Sequence, residues 1–444
     1  MKQLFRGILL LTVAAFLGEC LEFLINMIIA RQLGEEGLGH YMSILPIIFF
    51  IVIIASLELP VSLSKLIAES EKSYHKSTLR YTTRWTIILT GIFVTIGWLI
   101  FTVLPFFSSY HPMVRWLMVL LIPIVAFSSL SRGYFMGIGK MGKIAFSNFL
   151  RKGAQLFLLV TVFRLYEFSS ESALFVALCV LIASEMMVFF YLLHAYLFQW
   201  KRIDGHGHQK EANQQEIGKA LLSVSLPTTF LRVFHAIAHA IQPFLIKAAL
   251  IHYGMSTIQA TEQFGLLTGV AMTIGFFPAF IAHSLLVALI PAVSEASAKD
   301  NEEKIIKMLK GVLWGTFAYS VPVVLAYYYL GEALTSMFFP GSEAALYLQL
   351  LWPYFLIHFF ILPLQAFLIG LGLVKDALYH TVWSTVISYS LLYLLGAQTD
   401  LGMRGIIIGM NTGGMLLLML HLYTLKMKLN LKFGSIWLPF RRST

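Results

Sequence analysis

The sequence contains little charge. Asp, Glu, Lys and Arg make up 12% of its 444 residues, whereas hydrophobic residues make up 58%. A soluble domain carries about 25% charged residues. This shortage of charge argues against a soluble enzyme or a soluble binding module.

Cysteine and recognisable catalytic motifs are also missing or rare. The two cysteines, Cys20 and Cys179, lie in apolar stretches, so we expect neither a disulfide nor a metal site from them. There is no HExxH sequence, no Walker loop and no Ser-His-Asp arrangement with a supporting motif. We therefore expect no enzyme activity, ATP hydrolysis included, and no cofactor.

Long apolar runs are what the chain has in abundance. A membrane-spanning helix needs about 20 mostly apolar residues, and we count about twelve such spans. They lie at roughly 7–30, 39–64, 85–107, 113–137, 144–166, 171–198, 218–251, 261–291, 309–331, 345–373, 376–396 and 404–426. The first run resembles a signal peptide, but Glu19 disfavours cleavage before Cys20, so we expect an uncleaved span. The predicted fold class is an all-α polytopic membrane protein.

The orientation follows from the basic residues. Most of the 32 lysines and arginines fall in alternate loops, and such loops stay cytoplasmic. We therefore predict a multi-pass membrane protein with both termini in the cytoplasm. The net charge of +10 is then an inner-face excess that attracts anionic lipids and does not indicate nucleic-acid binding. The opposite loops hold only Arg31, Arg115, Arg164, Lys247 and Arg404.

The stretch GIGKMG, residues 137–142, fits the dinucleotide fingerprint GxGxxG. That fingerprint needs a preceding β-strand, and a long apolar span precedes it here, so we do not expect a nucleotide site. The glycines belong instead to an internal repeat. YFMGIGKMGK (134–143) matches FLIGLGLVKD (367–376), and SKLIAESEK (64–72) matches IPAVSEASA (290–298). The repeat predicts that the glycines end the fourth span of each half in a structural turn.

The repeat also predicts the domain organisation. Six spans in each half place both halves in the membrane the same way up, as parallel repeats around a central cavity. We predict an N-terminal six-helix lobe (1–198), a cytoplasmic linker (199–216), a C-terminal six-helix lobe (217–426) and a basic cytoplasmic tail (427–444). His206 and His208 of the linker suit a solvated connection better than a metal site.

Ionisable and polar groups inside spans are costly and usually face a cavity. We predict a substrate-binding cavity lined by Asn26, Thr228, Arg232, His235, His239 and Gln242. The candidates for ion coupling are Glu19, Glu22 and Glu58. We expect Glu22 to lie near Arg232. The alternative is that these groups only neutralise one another in a packed bundle.

Three further cations, Arg132, Arg151 and Lys152, lie near the cytoplasmic ends of their spans. Their positions fit two readings equally well: the long side chains extend to the membrane–water interface, or they have a functional role.

Four runs resemble a known family: IARQLGEEGLGHY (29–41), LELPVSLSKLIAE (57–69), SVSLPTTFLRVF (223–234) and GFFPAFIAHSLLVALIPAVSEASA (275–298). They resemble the stage V sporulation protein B branch of the polysaccharide flippases. That superfamily also holds multidrug exporters and lipid II flippases. The resemblance implies a protein of the bacterial cell (plasma) membrane, with two lobes that rock about a central cavity while a lipid-linked saccharide crosses the membrane. It also implies that Arg232 is a cavity arginine, whereas the acidic pair of the first span is similar to that of cation-coupled exporters.

Three functions stay open at this point. The first is a flippase for a lipid-linked oligosaccharide or a cell-wall or spore-envelope precursor. The second is a proton- or sodium-coupled exporter of drugs or metabolites. The third is a non-transporting scaffold that binds envelope-synthesis proteins. In a scaffold, the polar residues within the spans would have no functional role.

Overall fold

The computed structural model describes residues 2–103, 110–204, 214–398 and 400–430. Two predictions fall wholly or partly outside these ranges. The linker histidines His206 and His208 are not among the described residues, nor is most of the basic tail. The side chain of Thr228 is likewise outside the description, although its backbone is helical.

The described chain is built of α-helices joined by short turns, and it contains no β-strand within these ranges. The helices are α1 (Lys2–Ser56), α2 (Leu59–Glu69), α3 (His75–Val103), α4 (Val114–Gly137), α5 (Met141–Leu165), α6 (Ser170–Asp204), α7 (Gln214–Tyr253), α8 (Thr257–Gly265), α9 (Met272–Phe276), α10 (Ala279–Ala298), α11 (Glu302–Thr335), α12 (Ala344–Leu350), α13 (Trp352–Gly370), α14 (Val374–Gly396) and α15 (Met403–Lys428). A 3₁₀ turn precedes α3, and a π-helical segment joins α8 to α9.

The helices confirm a multi-pass membrane protein. Nine helices in the described part of the chain are long and apolar enough to cross a membrane. One of those stretches, Ala15–Glu69, covers two predicted spans, which meet at a break in α1 where Gly34 has φ 70°. Helices α5 and α14, of 25 and 23 residues, coincide with the predicted fifth and eleventh spans. About twelve crossing segments therefore fit the structure.

Three predicted spans are wrong in detail because their helices are interrupted. In the second span, α1 ends at Ser56 and α2 begins at Leu59. The eighth span consists of α8, the π-helical segment, α9 and α10, and the tenth consists of α12 and α13. Pro60 lies in the first turn of α2 and Pro278 directly precedes α10. Proline lacks an N–H and disfavours a helical residue before it, so both positions suit a helix start rather than a continuous helix.

The internal repeat is confirmed by helix ends. Helix α4 ends at Gly137 and α13 at Gly370, which are matched positions of the two glycine motifs. The same alignment relates the starts of α5 and α14, and of α6 and α15. The glycines that follow, Gly139 and Gly372, have φ values of 71° and 79°, which suit glycine because it has no Cβ. The predicted structural turn is therefore present in both halves.

The repeat extends to the cores. Buried residues of α2, α4 and α6 form one cluster, and buried residues of α10, α13 and α15 form another. The two alignments found in the sequence place equivalent positions in both clusters. These pairs are Leu63 and Leu289, Ile67 and Val293, Tyr134 and Phe367, and Leu192 and Leu425.

The chain divides into two compact units. The N-unit comprises residues 32–241, and the C-unit comprises residues 1–31 together with 242–444. These bounds differ from the predicted lobes, because the start of α1 groups with the C-terminal half and the start of α7 groups with the N-terminal half. The division into lobes at the central linker stays a prediction.

We expect Gly137→Ala to destabilise the protein. A Cβ at this position would lie 2.6 Å from the Cβ of Ile67, and one at Gly370 would lie 2.7 Å from the Cβ of Val293. Overpacking of this kind costs about 1–3 kcal/mol. The measurement is thermal unfolding of the purified full chain in detergent. Gly142→Ala is the matched control, since no described atom lies within 4 Å of its added Cβ. Equal melting temperatures for the two variants would contradict the close packing.

Candidate functional site: a buried carboxylate at a helix break

The helix break in the N-unit has an unusual backbone. Leu57 and Glu58, between α1 and α2, have φ values of 53° and 51°. This left-handed conformation costs a residue with a Cβ roughly 1–2 kcal/mol. The carbonyl of Glu58 accepts hydrogen bonds from the backbone N–H of Val61 and Ser62, at 3.1 and 3.0 Å. These backbone bonds hold the first turn of α2 directly after Glu58.

Glu58 is a buried carboxylate that pairs with an arginine. Its side chain is 1% exposed, and its Oε1 accepts a hydrogen bond of 2.5 Å from Nη1 of Arg232 on α7. A buried charge needs a partner, because burial removes its hydration. The side chain of Arg232 is 51% exposed, so the pair joins a buried anion to a cation with an open side.

The partner of Arg232 differs from the sequence-based expectation. The sequence predicts Glu22 near Arg232, but the ion pair in the structure uses Glu58. Glu58 was itself predicted as a functional carboxylate, from its place in a span beside Pro60. The proximity of Glu22 to Arg232 stays a prediction.

The histidines predicted beside Arg232 share its helix. His235 and His239 follow at i+3 and i+7, which places all three on one face of α7. His235 is half-buried and His239 is exposed. Gln242 continues this spacing and is half-buried, but it belongs to the C-unit. The structure therefore places Glu58, Arg232, His235 and His239 in one unit.

The polar residues of the first span belong to the C-unit. Glu19, Glu22 and Asn26 are half-buried on the first part of α1. The same segment packs through aromatic rings: Phe16 contacts Phe280, with ring centroids 5.3 Å apart, and Phe23 contacts Phe338 at the same distance. The part that Glu19, Glu22 and Asn26 play in a shared cavity stays a prediction.

The charged groups of this site can form ion pairs and hydrogen bonds. Within the described ranges, no three His, Cys, Asp or Glu side chains are placed to hold a metal ion. The chemistry that Glu58 and Arg232 offer is charge pairing. A guanidinium has five N–H donors and binds carboxylates and phosphates through them. The site can therefore hold an anionic group that competes with Glu58.

Comparisons with known proteins agree with this architecture. Residues 4–254 match the family model described as "Polysaccharide biosynthesis protein", and residues 267–394 match the model described as "MatE". Sporulation protein YkvU of Bacillus subtilis (strain 168) is 48% identical over 96% of this chain and 95% of its own length. Stage V sporulation protein B of the same organism is 31% identical over 95% of this chain and 84% of its own length.

The solved structures show the same fold. An inward-facing multidrug resistance MATE family transporter of the MOP superfamily aligns with a TM-score of 0.73 and 19% identity, over 93% of this chain and 94% of that one. The fold is therefore that of a MOP-superfamily membrane transporter. The chain belongs to the polysaccharide biosynthesis protein family, as its matches to that family model and to stage V sporulation protein B show. The resemblance seen in the sequence is confirmed.

We expect Arg232→Gln to destabilise the protein by about 2 kcal/mol. Breaking a fully buried ion pair costs about 3–5 kcal/mol, and the partial exposure of Arg232 reduces that cost. The double variant Glu58→Gln/Arg232→Gln should be more stable than Arg232→Gln alone, because no buried carboxylate is left unpaired. The measurement is the unfolding midpoint of the wild type, the two single variants and the double variant in detergent.

The control for this cycle is the exposed pair of Lys65 and Glu69, whose charged atoms lie 4.0 Å apart. Exposed pairs contribute about 0–1 kcal/mol, so Lys65→Gln and Glu69→Gln should show little coupling. Additive effects at Glu58 and Arg232 would contradict a stabilising buried pair.

Proposed function

We propose that the protein is a flippase that moves a lipid-linked saccharide across the bacterial cell membrane by alternating access. The single observation that carries this proposal is the half-exposed guanidinium of Arg232, held by a buried carboxylate at a helix break. The MOP-type fold and the polysaccharide biosynthesis family support it. The names of the two sporulation relatives favour a cell-wall or spore-envelope precursor as the cargo.

Arg232 would bind the phosphate of the carrier lipid. In the described residues the guanidinium gives one hydrogen bond, to Glu58, so further N–H donors remain for phosphate oxygens. Charge-assisted bonds from arginine to phosphate are short, and they are often bidentate. His235 and His239, on the same face of α7, would add donors to the headgroup. Thr228, Gln242 and Asn26 complete the proposed cavity.

Glu58 would control the availability of Arg232. Glu58 holds the guanidinium, so a phosphate must compete with it for Arg232. A ligand shifts a conformational equilibrium only by its difference in affinity for the two states. Such a difference would arise if Arg232 pairs with Glu58 in one state and with the substrate phosphate in the other. Glu19 and Glu22 are further candidates for ion coupling.

The membrane setting of this proposal follows the distribution of basic residues. Both termini would lie in the cytoplasm, so the basic loops would meet anionic lipids of the inner leaflet. The cavity would lie between lobes 1–198 and 217–426, with Glu19, Glu22 and Asn26 opposite the α7 residues. Envelope-synthesis proteins are further proposed partners.

A second candidate is a proton- or sodium-coupled exporter of drugs or metabolites. The match of residues 267–394 to the MatE model favours it. Glu19, Glu22 and Glu58 would then bind the coupling ion. Drug resistance that follows expression and is lost in Glu22→Gln would favour this candidate over the flippase.

We expect Arg232→Ala to abolish complementation of a strain that lacks its native copy of this flippase. The physical reason is loss of the phosphate contact, and Arg232→Lys should restore part of the activity because it keeps the charge but not the planar fork of donors. The measurement is growth, or spore yield, at matched protein levels in the membrane. Arg164→Ala, at the exposed end of α5, is the control. Full complementation by Arg232→Ala would overturn the assignment.

A further inference from the structure

A second group of charges lies within the N-unit, on α4, α5 and α6. Nε of Arg151 lies 3.6 Å from Oε1 of Glu185. Arg132 lies within electrostatic range of both the Glu185 carboxylate and the Arg151 guanidinium. Two arginines thus share one carboxylate, which leaves the group with an excess positive charge.

Two donors of this group are buried and unused. Nε of Arg132 is buried and meets no hydrogen-bond partner among the described residues. The hydroxyl of Ser128, one turn earlier on the same face of α4, is buried with no partner in the described part of the chain either. Unsatisfied buried donors cost about 1–3 kcal/mol each, and more when they are charged. Both would be satisfied by an acceptor that carries negative charge.

Simple snorkelling does not account for these side chains. A snorkelling arginine places its charged head in water or among headgroups. Here the Nε of Arg132 is enclosed by protein, and Arg151 lies about 15 Å along α5 from Met141. The side chains of Arg151 and Glu185 are still 31% and 20% exposed, so the group is open on one side.

The repeat shows that the six-helix architecture does not need these charges. In the alignment that matches Gly137 with Gly370, Arg132 corresponds to Gln365, Arg151 to Ser384 and Glu185 to Leu418. All three equivalents are uncharged, and Leu418 lines an apolar cavity of about 230 Å³ in the C-unit. The same helix junction is therefore stable without ion pairs, and the charges are specific to the N-unit.

We propose that Arg132, Arg151 and Ser128 form a binding site for a phosphate group on the N-unit. Its source would be either the headgroup of an anionic lipid or a soluble phosphate. The paired N–H donors of a planar guanidinium match the spacing of phosphate oxygens, and one phosphate would neutralise the excess positive charge of the group. On the predicted orientation, Arg132 lies about 7 Å along α4 from the cytoplasmic end of that helix. The site is independent of the proposed flippase activity.

The test is thermal stabilisation of the purified full chain in detergent. Phosphatidylglycerol, phosphatidylcholine and inorganic phosphate are titrated separately. We expect phosphatidylglycerol to raise the melting temperature of the wild type. Loss of one charged hydrogen-bond donor should weaken that response about tenfold in Arg132→Gln. Arg164→Gln removes an exposed arginine from the far end of α5 and should respond as the wild type does.

Glu185→Gln separates a binding role from a structural one. If Glu185 competes with phosphate for Arg151, Glu185→Gln should bind phosphatidylglycerol more tightly than the wild type. If the three charges serve only to hold the helices together, Glu185→Gln should lower stability and bind phosphatidylglycerol no more tightly than the wild type. This arm also tests the site if Arg132→Gln does not fold.

The titrations also identify whether the bound phosphate comes from a lipid headgroup or from solution. A response to phosphatidylglycerol but not to inorganic phosphate supports a lipid site, whereas the same Arg132-dependent response to inorganic phosphate supports a soluble anion. No response to either, or an equal response in the wild type and Arg132→Gln, would overturn the proposal. The part of the response that depends on Arg132 does not involve Arg232, so failure of the flippase assignment would not affect this result.

Discussion

The ion pair of Glu58 and Arg232 is the constraint on which the candidate site depends. A carboxylate that is 1% exposed cannot stay charged in an apolar helical protein without a cation beside it. The chain accepts two left-handed residues in order to place Glu58 at a helix end rather than within a continuous helix. The energetic cost of that geometry is the kind that proteins tolerate at functional positions. The exposed side of Arg232 makes the pair accessible to a competing anion.

The repeat gives the protein two similar frameworks with different chemistry. The helix ends, the close glycine contacts and the core positions correspond between the two halves. The charges do not correspond, since Arg132, Arg151 and Glu185 have the uncharged residues Gln365, Ser384 and Leu418 as their counterparts. Packing fixes the shape of each six-helix set. Function can therefore differ between the halves by exchange of a few side chains without loss of the fold.

Much of the fold could be predicted from the sequence because the signals were local. Apolar length predicts the spans, and two matching glycine motifs predict the repeat and its turns. The helix breaks were missed because apolar composition continues through Leu57, although Pro60 was a usable signal.

The partner of Arg232 was missed for a different reason. Glu58 is far away along the chain, and no spacing rule links two side chains on different helices. Arg132 could be read as snorkelling until burial and neighbours were known.

The central claim is that Arg232 exchanges Glu58 for the phosphate of a carrier lipid. The most direct measurement is mass spectrometry of the lipids that co-purify with the wild type and with Arg232→Gln, at equal protein amounts from the same membranes. The account predicts an isoprenoid lipid carrying a phosphate-linked saccharide on the wild type and its depletion on Arg232→Gln. Equal amounts of that lipid on both proteins, or none on the wild type, would contradict the claim.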